Sequence, residues 1–176
     1  VAVAISVISL MSFTLSKLSG NILTNGGFES GDSGWNKWWG LEIDKAEKHS
    51  GEASCRVVAQ SNAWRGTTQI IACPEGAKKL KITGWIKTKD ITPNGEPWNN
   101  ARISVKFMKT EDNQDEENYV GEKYPPAVGE AKGTTDWKEY SRTYNIPAGC
   151  NYLDIGAMCG QAIGTAWFDD IVATIE

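Results

Sequence analysis

Eight tryptophans run through the 176 residues, beside five tyrosines and four phenylalanines. One small core does not need so many indoles. An indole offers a flat apolar face with a single N–H at its rim, so a surplus points to a surface that stacks on something. Trp38, Trp39, Trp64, Trp85 and Trp98 are the candidates, with Gln69, Arg102 and Gln161 as polar companions. Flat apolar platforms beside planar hydrogen-bonding groups suit a sugar: the C–H face of a pyranose packs on indole, and its hydroxyls take amide or guanidinium partners at fixed angles. Each indole has a packing alternative. Trp167, alternating with Asp169 and Ile171, reads as a packing residue, whereas Trp98, between Pro97 and Asn99-Asn100 in a polar stretch, reads as binding. Trp64, Trp85 and the Trp38-Trp39 pair stand open between the two.

Catalytic chemistry finds fewer supports. A Ser-His or Cys-His nucleophile would rest on His49 alone, the one histidine of the chain. That same shortage, with cysteines that lack paired spacing, leaves no zinc pattern. The acid-rich run from Glu111 to Glu117 reads as a solvated loop, and no glycine-rich phosphate loop opens a helix. The chain is therefore read as non-catalytic. A net charge of −4 without a basic block excludes a nucleic-acid partner.

The elements that must hold these residues are strands. Eighteen glycines and short Val/Ile/Thr segments between turn signals predict an all-β chain. Candidate strands are 21–23, 41–46, 53–59, 67–72, 79–88, 101–109, 137–146, 152–158 and 166–175. Alternation puts Leu80, Ile82, Gly84 and Ile86 in the core with Trp85 facing out, and Ile103, Val105 and Phe107 in the core with Arg102 facing out. Trp85 and Arg102 are thereby expected on one solvent-facing surface. Residues 90–100 and 110–135 read as long polar loops. Cys55 and Cys73 flank a presumed hairpin near Trp64, and a disulfide between them is expected; Cys150 and Cys159, at ~3.3 Å per residue along one strand, are roughly 30 Å apart and out of reach of each other.

Residues 1–19 differ from the rest, with Lys17 their only charge. One reading is the remnant of a signal or membrane anchor. The other follows from the alternation of Val1, Val3, Ile5, Val7, Met11, Phe13 and Leu15 with mostly small or hydroxylated residues, the period of a strand with one buried face. Residues 1–15 would then be a donor strand completing the sheet of a neighbouring subunit, which makes self-association and a filament subunit the alternative function. Residues 20–176 read as one domain.

The opening Asn21-Ile-Leu-Thr-Asn-Gly-Gly-Phe-Glu-Ser-Gly and the closing Ala166-Trp-Phe-Asp-Asp-Ile-Val resemble the bookends of carbohydrate-binding modules of families 4, 16 and 22. The resemblance implies a jelly-roll β-sandwich of two antiparallel sheets, secreted or on the cell surface, that holds an enzyme or a cell on a β-linked polysaccharide such as cellulose, mannan, xylan or a mixed glucan. It also implies that Trp35 and Trp137 stand at packing positions in the core, and it implies a structural calcium. The matching positions are Gly27 and Glu29, then Glu47 and Ser50, then Asp169, with Asp170 second. Oxygen donors from three distant segments suit that ion.

Overall fold

The computed structural model describes residues 20–37, 40–60 and 63–176. The expected segment 1–19 and the Trp38-Trp39 pair lie outside the described residues. Among those described, the only helical element is a single 3-10 turn, Glu116–Asn118.

Alternation of side chains builds the two layers. In β5 (Lys79–Pro93) Leu80, Ile82 and Ile86 are fully buried, while Trp85 and Lys87 point the other way. In β6 (Ala101–Met108) Ile103, Val105 and Phe107 turn inward and Arg102, Ser104 and Lys106 outward. With β1 (Asn36–Lys37), β2 (Leu41–Asp44), β3 (Ser54–Ala59), β4 (Arg65–Ala72), β7 (Gly129–Ala131), β8 (Gly133–Asn145), β9 (Tyr152–Cys159) and β10 (Ala162–Ile175) they form two five-stranded sheets. The front sheet runs β1-β4-β9-β6-β7 and the back sheet β2-β3-β10-β5-β8, each antiparallel throughout. Leu153, Ile155, Ile103 and Val105 of the front meet Leu80, Ile82, Phe168 and Val57 of the back in one core.

This topology corrects two expectations. β5 and β6 belong to different sheets, so Trp85 and Arg102 lie on opposite outer surfaces. β3 and β4 likewise cross from back to front rather than pairing, so Cys55 and Cys73 do not face each other across a hairpin; all four cysteines are free thiols. Alternation gives the faces of a strand but not the sheet it joins.

Three other differences concern element limits. Residues 21–23 are irregular, tied to β10 by Ile22 N–H to Ala173 O at 2.8 Å and Ala173 N–H to Asn21 Oδ1 at 2.9 Å. The expected loop 90–100 begins later, because β5 runs on to Pro93 past Asp90, whose positive φ of 56° marks an irregularity in its pairing. Within 110–135 the chain forms β7 and the start of β8.

The opening motif folds into a plug. Asn25, at φ 53°, accepts from Ser30 N–H and donates from Nδ2 to Gly31 O and Ser33 O, while its own carbonyl accepts from Trp35 Nε1. Phe28 is fully buried and stacks on Trp35 with 5.1 Å between centroids. Trp35 is thus the packing residue that the sequence indicated. Gly26 O accepts from Ile171 N–H at 2.9 Å, and a Cβ on Gly26 would stand 1.9 Å from Ile171 O. Gly26→Ala is therefore expected to destabilise the domain by about 3 kcal/mol, because backbone on both sides cannot yield. Gly20→Ala, with no atom within 4 Å of the new methyl, is the matched control. The urea midpoints of the two variants check this.

Candidate functional site

The outer surface of the front sheet carries a groove of about 1080 Å³. Its floor is Ser104 of β6 and Met158 of β9, joined by Ser104 Oγ–H to Met158 Sδ at 3.6 Å. Gly156 beside them keeps the floor low: a Cβ there would meet Met158 Cε at 2.3 Å and Ser104 Oγ at 3.0 Å. Trp64, just before β4, and Trp98, in the loop before β6, close one end; Tyr119, Tyr124 and the Pro125-Pro126 pair line the other. Trp64, Trp98 and Tyr124 are 40%, 55% and 63% exposed, and they are three of the four large apolar residues exposed among those described. Apolar rings left open to water in one concave place are the signature of a ligand surface.

Arg102 organises the tryptophan end. Its guanidinium carbon lies 5.7 Å from the Trp64 ring centroid, and its nitrogens donate to Trp98 O, to Asn100 Oδ1 at 3.2 Å and to Glu130 Oε1 at 2.9 Å. Burial pulls its pKa below the usual arginine value, and Glu130 opposes that shift. One side chain thereby fixes both indoles relative to the sheet. At the far end Lys106 donates to Tyr119 OH at 2.8 Å, and that hydroxyl donates to Asn113 O at 2.8 Å.

Beneath Lys106 lies Asp154, 2% exposed. Its Oδ2 accepts from Asn113 Nδ2 at 3.1 Å and stands 3.8 Å from Lys106 Nζ. Oδ1 and the neighbouring Thr68 Oγ1 each lack a partner of good hydrogen-bond geometry, although the hydroxyl is close enough to favour the carboxylate. Burial dominates and raises the Asp154 pKa above the ordinary aspartate range.

The polar residues expected at a binding surface divide. Arg102 is in the groove. Gln69 is not: it is 6% exposed, on the core side of β4, with Oε1 accepting from Thr24 N–H at 2.8 Å and Nε2 donating to Thr24 O at 2.9 Å. It clamps the plug. Gln161 sits in the β9–β10 turn, where its carbonyl accepts from Asn94 N–H at 2.8 Å, and is not a groove residue. Trp85 is covered on the back sheet by His49, stacked at 3.7 Å. Trp137, expected in the core, lies instead on that outer face, edge-on to His49 at 5.9 Å and donating to Glu47 Oε1. Tyr119, Tyr124 and Glu130 carry no signal in the sequence, since their places depend on how the 110–135 segment folds back.

A model of the family described as carbohydrate binding domain matches residues 20–155. The chain belongs to that family. Solved structures of similar fold include "Family 16 Carbohydrate Binding Module-2", at TM-score 0.63 and 16% identity over 88% of this chain and 99% of that one. TmCBM61 in complex with beta-1,4-galactotriose follows at 0.60 and 21% over 90% and 100%. The CBM22-1 xylan-binding domain from Paenibacillus barcinonensis Xyn10C gives 0.58 and 18% over 89% and 96%. The enzymatically active domain of bacteriophage CBA120 tailspike protein 4 matches at 0.62 and 16%, but the match spans only 21% of that chain. No curated protein matches by sequence. The match takes in the opening motif, which here is the plug, and ends before β10, the strand that receives it.

The acidic residues gather where β10 meets the loop after β2. Asp169 is fully buried; its Oδ2 accepts from His49 N–H at 2.9 Å and Ser50 N–H at 3.1 Å, and its Oδ1 from Asp170 N–H at 2.8 Å. Asp170 takes His49 Nδ1 at 2.7 Å and the Ser50 hydroxyl at 3.0 Å. A Cβ on Gly27 would stand 3.4 Å from Asp170 Oδ1, 3.7 Å from Asp169 Oδ1 and 3.8 Å from Glu29 Cγ, so four of the expected positions abut. Glu29 accepts from Glu52 N–H. Glu47 points elsewhere, held by Lys87 Nζ at 3.0 Å and Trp137 Nε1 at 3.0 Å. The oxygen-only donors of Gly27, Glu29, Ser50, Asp169 and Asp170 suit a hard cation, and Glu47 does not join them. Among the described residues no three acidic, histidine or cysteine side chains close on one point as a metal shell does.

One pH effect follows from Asp154. A carboxyl whose folded pKa is raised binds more protons folded than unfolded, so its penalty is absent at low pH and grows as pH rises through the raised value. Asp154→Asn is expected to melt at or above the parent temperature at pH 7. That advantage should shrink as pH falls below the ordinary aspartate range, which thermal scans at pH 7 and pH 3.5 check.

Proposed function

We propose that this domain is a non-catalytic module that binds a neutral β-linked polysaccharide in the front-sheet groove. The observation that carries the reading is the pair of exposed indoles, Trp64 and Trp98, locked by Arg102 over a floor without bulk. Stacking platforms at one end and amide, hydroxyl and carboxylate groups along the walls match the alternating C–H faces and hydroxyls of a sugar chain. The groove's charges are paired: Arg102 with Glu130, Lys106 near Asp154 and Glu116 with Lys123. Among the described residues an acidic sugar would find no free cation in the groove, which favours xylan, mannan, cellulose or a mixed glucan. The solved relatives named for xylan and β-1,4-galactotriose support the same class. An extracellular setting, on an enzyme or at a cell surface, is part of this proposal.

The test is affinity electrophoresis and calorimetry against xylan, galactan, mannan and glucan. Trp64→Ala and Trp98→Ala are each expected to weaken binding about tenfold, the loss of one stacking contact of ~1.4 kcal/mol. Trp85→Ala, on the opposite sheet, should bind like the parent. Folded Trp64 and Trp98 variants that bind every glycan as well as the parent would sink the reading.

Calcium is proposed at the acidic cluster, with Asp169 and Asp170 as side-chain ligands, Ser50 beside them, and Gly27 and Glu29 as neighbours able to supply oxygen. The ion would offset repulsion between the buried Asp169 carboxylate and the part-exposed Asp170 beside it, and so stabilise the fold. A melting temperature that rises with millimolar calcium, falls with chelator, and responds to neither in Asp169→Asn is the expected result. Equal melting in calcium and chelator would remove calcium from the account.

A further inference from the structure

The two half-buried cysteines come together at the edge of the core, far from the groove's tryptophans. β4 and β9 pair from Arg65↔Cys159 to Ala72↔Tyr152, with Trp64 just before the first of these. Beyond the last pair the ladder continues by one bond, Cys73 N–H to Asn151 O at 2.8 Å, while Asn151 N–H reaches Met108 O at 2.8 Å. The chain arrives there through a turn closed by Cys150 N–H to Pro147 O at 3.3 Å. That turn lifts Cys150 out of strand alternation and sets its thiol beside that of Cys73. The two thiols are near enough to bear on each other's protonation, and both pack against the core. Cys73 Sγ–H has an acceptor in Pro74 O at 3.9 Å and Cys150 Sγ–H in Tyr152 O at 3.3 Å. Cys55 and Cys159, by contrast, are wholly buried.

We propose that Cys73 and Cys150 are a disulfide pair, closed by exchange with a small-molecule or protein disulfide. In the first step the Cys150 thiolate attacks one sulfur of the oxidant, forming a mixed disulfide and expelling the oxidant's other sulfur as a thiolate that takes up a proton. In the second, the Cys73 thiolate attacks the Cys150 sulfur and expels the remaining half. Two cysteine thiols are oxidised by two electrons, two protons pass to the leaving groups, and one oxidant disulfide becomes two thiols. Cys150 leads because burial raises its pKa while the Met108 backbone, the neighbouring Cys73 thiol and the Tyr152 backbone oppose that rise. Burial and the neighbouring Cys150 sulfur push Cys73 up to about 12, with nothing opposing them. Thiolate is therefore scarce at neutral pH, and closure should be slow and accelerate with alkali.

The bond would tie the end of β4 to the start of β9, closing a loop from residue 73 to residue 150. Such a long loop loses much unfolded-state entropy, so the cross-link should raise stability while leaving the groove untouched. This inference does not rest on the carbohydrate reading. The full chain is incubated with oxidised glutathione at pH 8 and compared with the reduced form by intact mass, peptide mapping and thermal melting. A loss of about 2 Da, a peptide joining Cys73 to Cys150, and a melting temperature raised by about 5–10 °C and restored by dithiothreitol are expected. Cys73→Ser and Cys150→Ser should each abolish the shift. Two separate glutathione adducts, a bond to Cys55 or Cys159, only intermolecular linkage, or both thiols still free after a day would overturn the proposal.

Discussion

Everything in this domain hangs on the break in β10 between Asp169 and Val172. A strand keeps one parity along its length, and Phe168 in the core would oblige Asp170 to be in the core as well. Asp170 at φ 47° inserts the extra residue that resets the count, so Phe168 and Ile171 both point inward although three positions separate them. Asp169, which unbroken alternation would put on the same side as Ile171, is turned away from it and toward the 47–50 loop. The same irregularity frees the Ile171 amide for Gly26 O, which is where the plug docks. Without the break, the buried carboxylate would lose its three amide donors and the plug its anchor.

From that anchor the effects spread to both surfaces. The plug is clamped on its other side by Gln69 of β4, which ties it to the front sheet as Ile171 ties it to the back. On the back sheet the aromatic side chains are used up internally: His49 covers Trp85, Trp137 serves Glu47, and Trp167 Nε1 donates to Asp44 Oδ2 at 2.9 Å. On the front sheet they are not, and the exposed rings of Trp64, Trp98 and Tyr124 face the groove. Residues of one chemical type thus serve two ends, and what separates them is how much of the ring stays open to water.

Much of this is legible in the amino-acid sequence. The inward sets of β5 and β6 follow from alternation, the exposure of Trp98 from its isolation among turn residues, and the fold from two short motifs at the ends. What is not legible is always a matter of partnership across the chain. Trp85 and Arg102 each face out as alternation predicts, yet no local signal says that β5 and β6 lie in different sheets. Gln69 has the right chemistry for a sugar and spends it on Thr24, forty-five positions away. β7, three residues long, is too short to show a period, and with it goes Glu130 and its bond to Arg102.

The edges of the front sheet carry a consequence of their own. β1 and β7, the outermost strands, are two and three residues long. A long bare edge is a template on which a second chain can add its own strand, and short edges deny it that footing. The back sheet's long edge strand, β8, is instead studded with exposed charge at Lys138, Glu139 and Arg142. Such protection matters wherever many copies of a domain are gathered, because a high local concentration favours edge-to-edge pairing. Stubby borders on one sheet and a charged hem on the other let neighbours sit side by side without fusing.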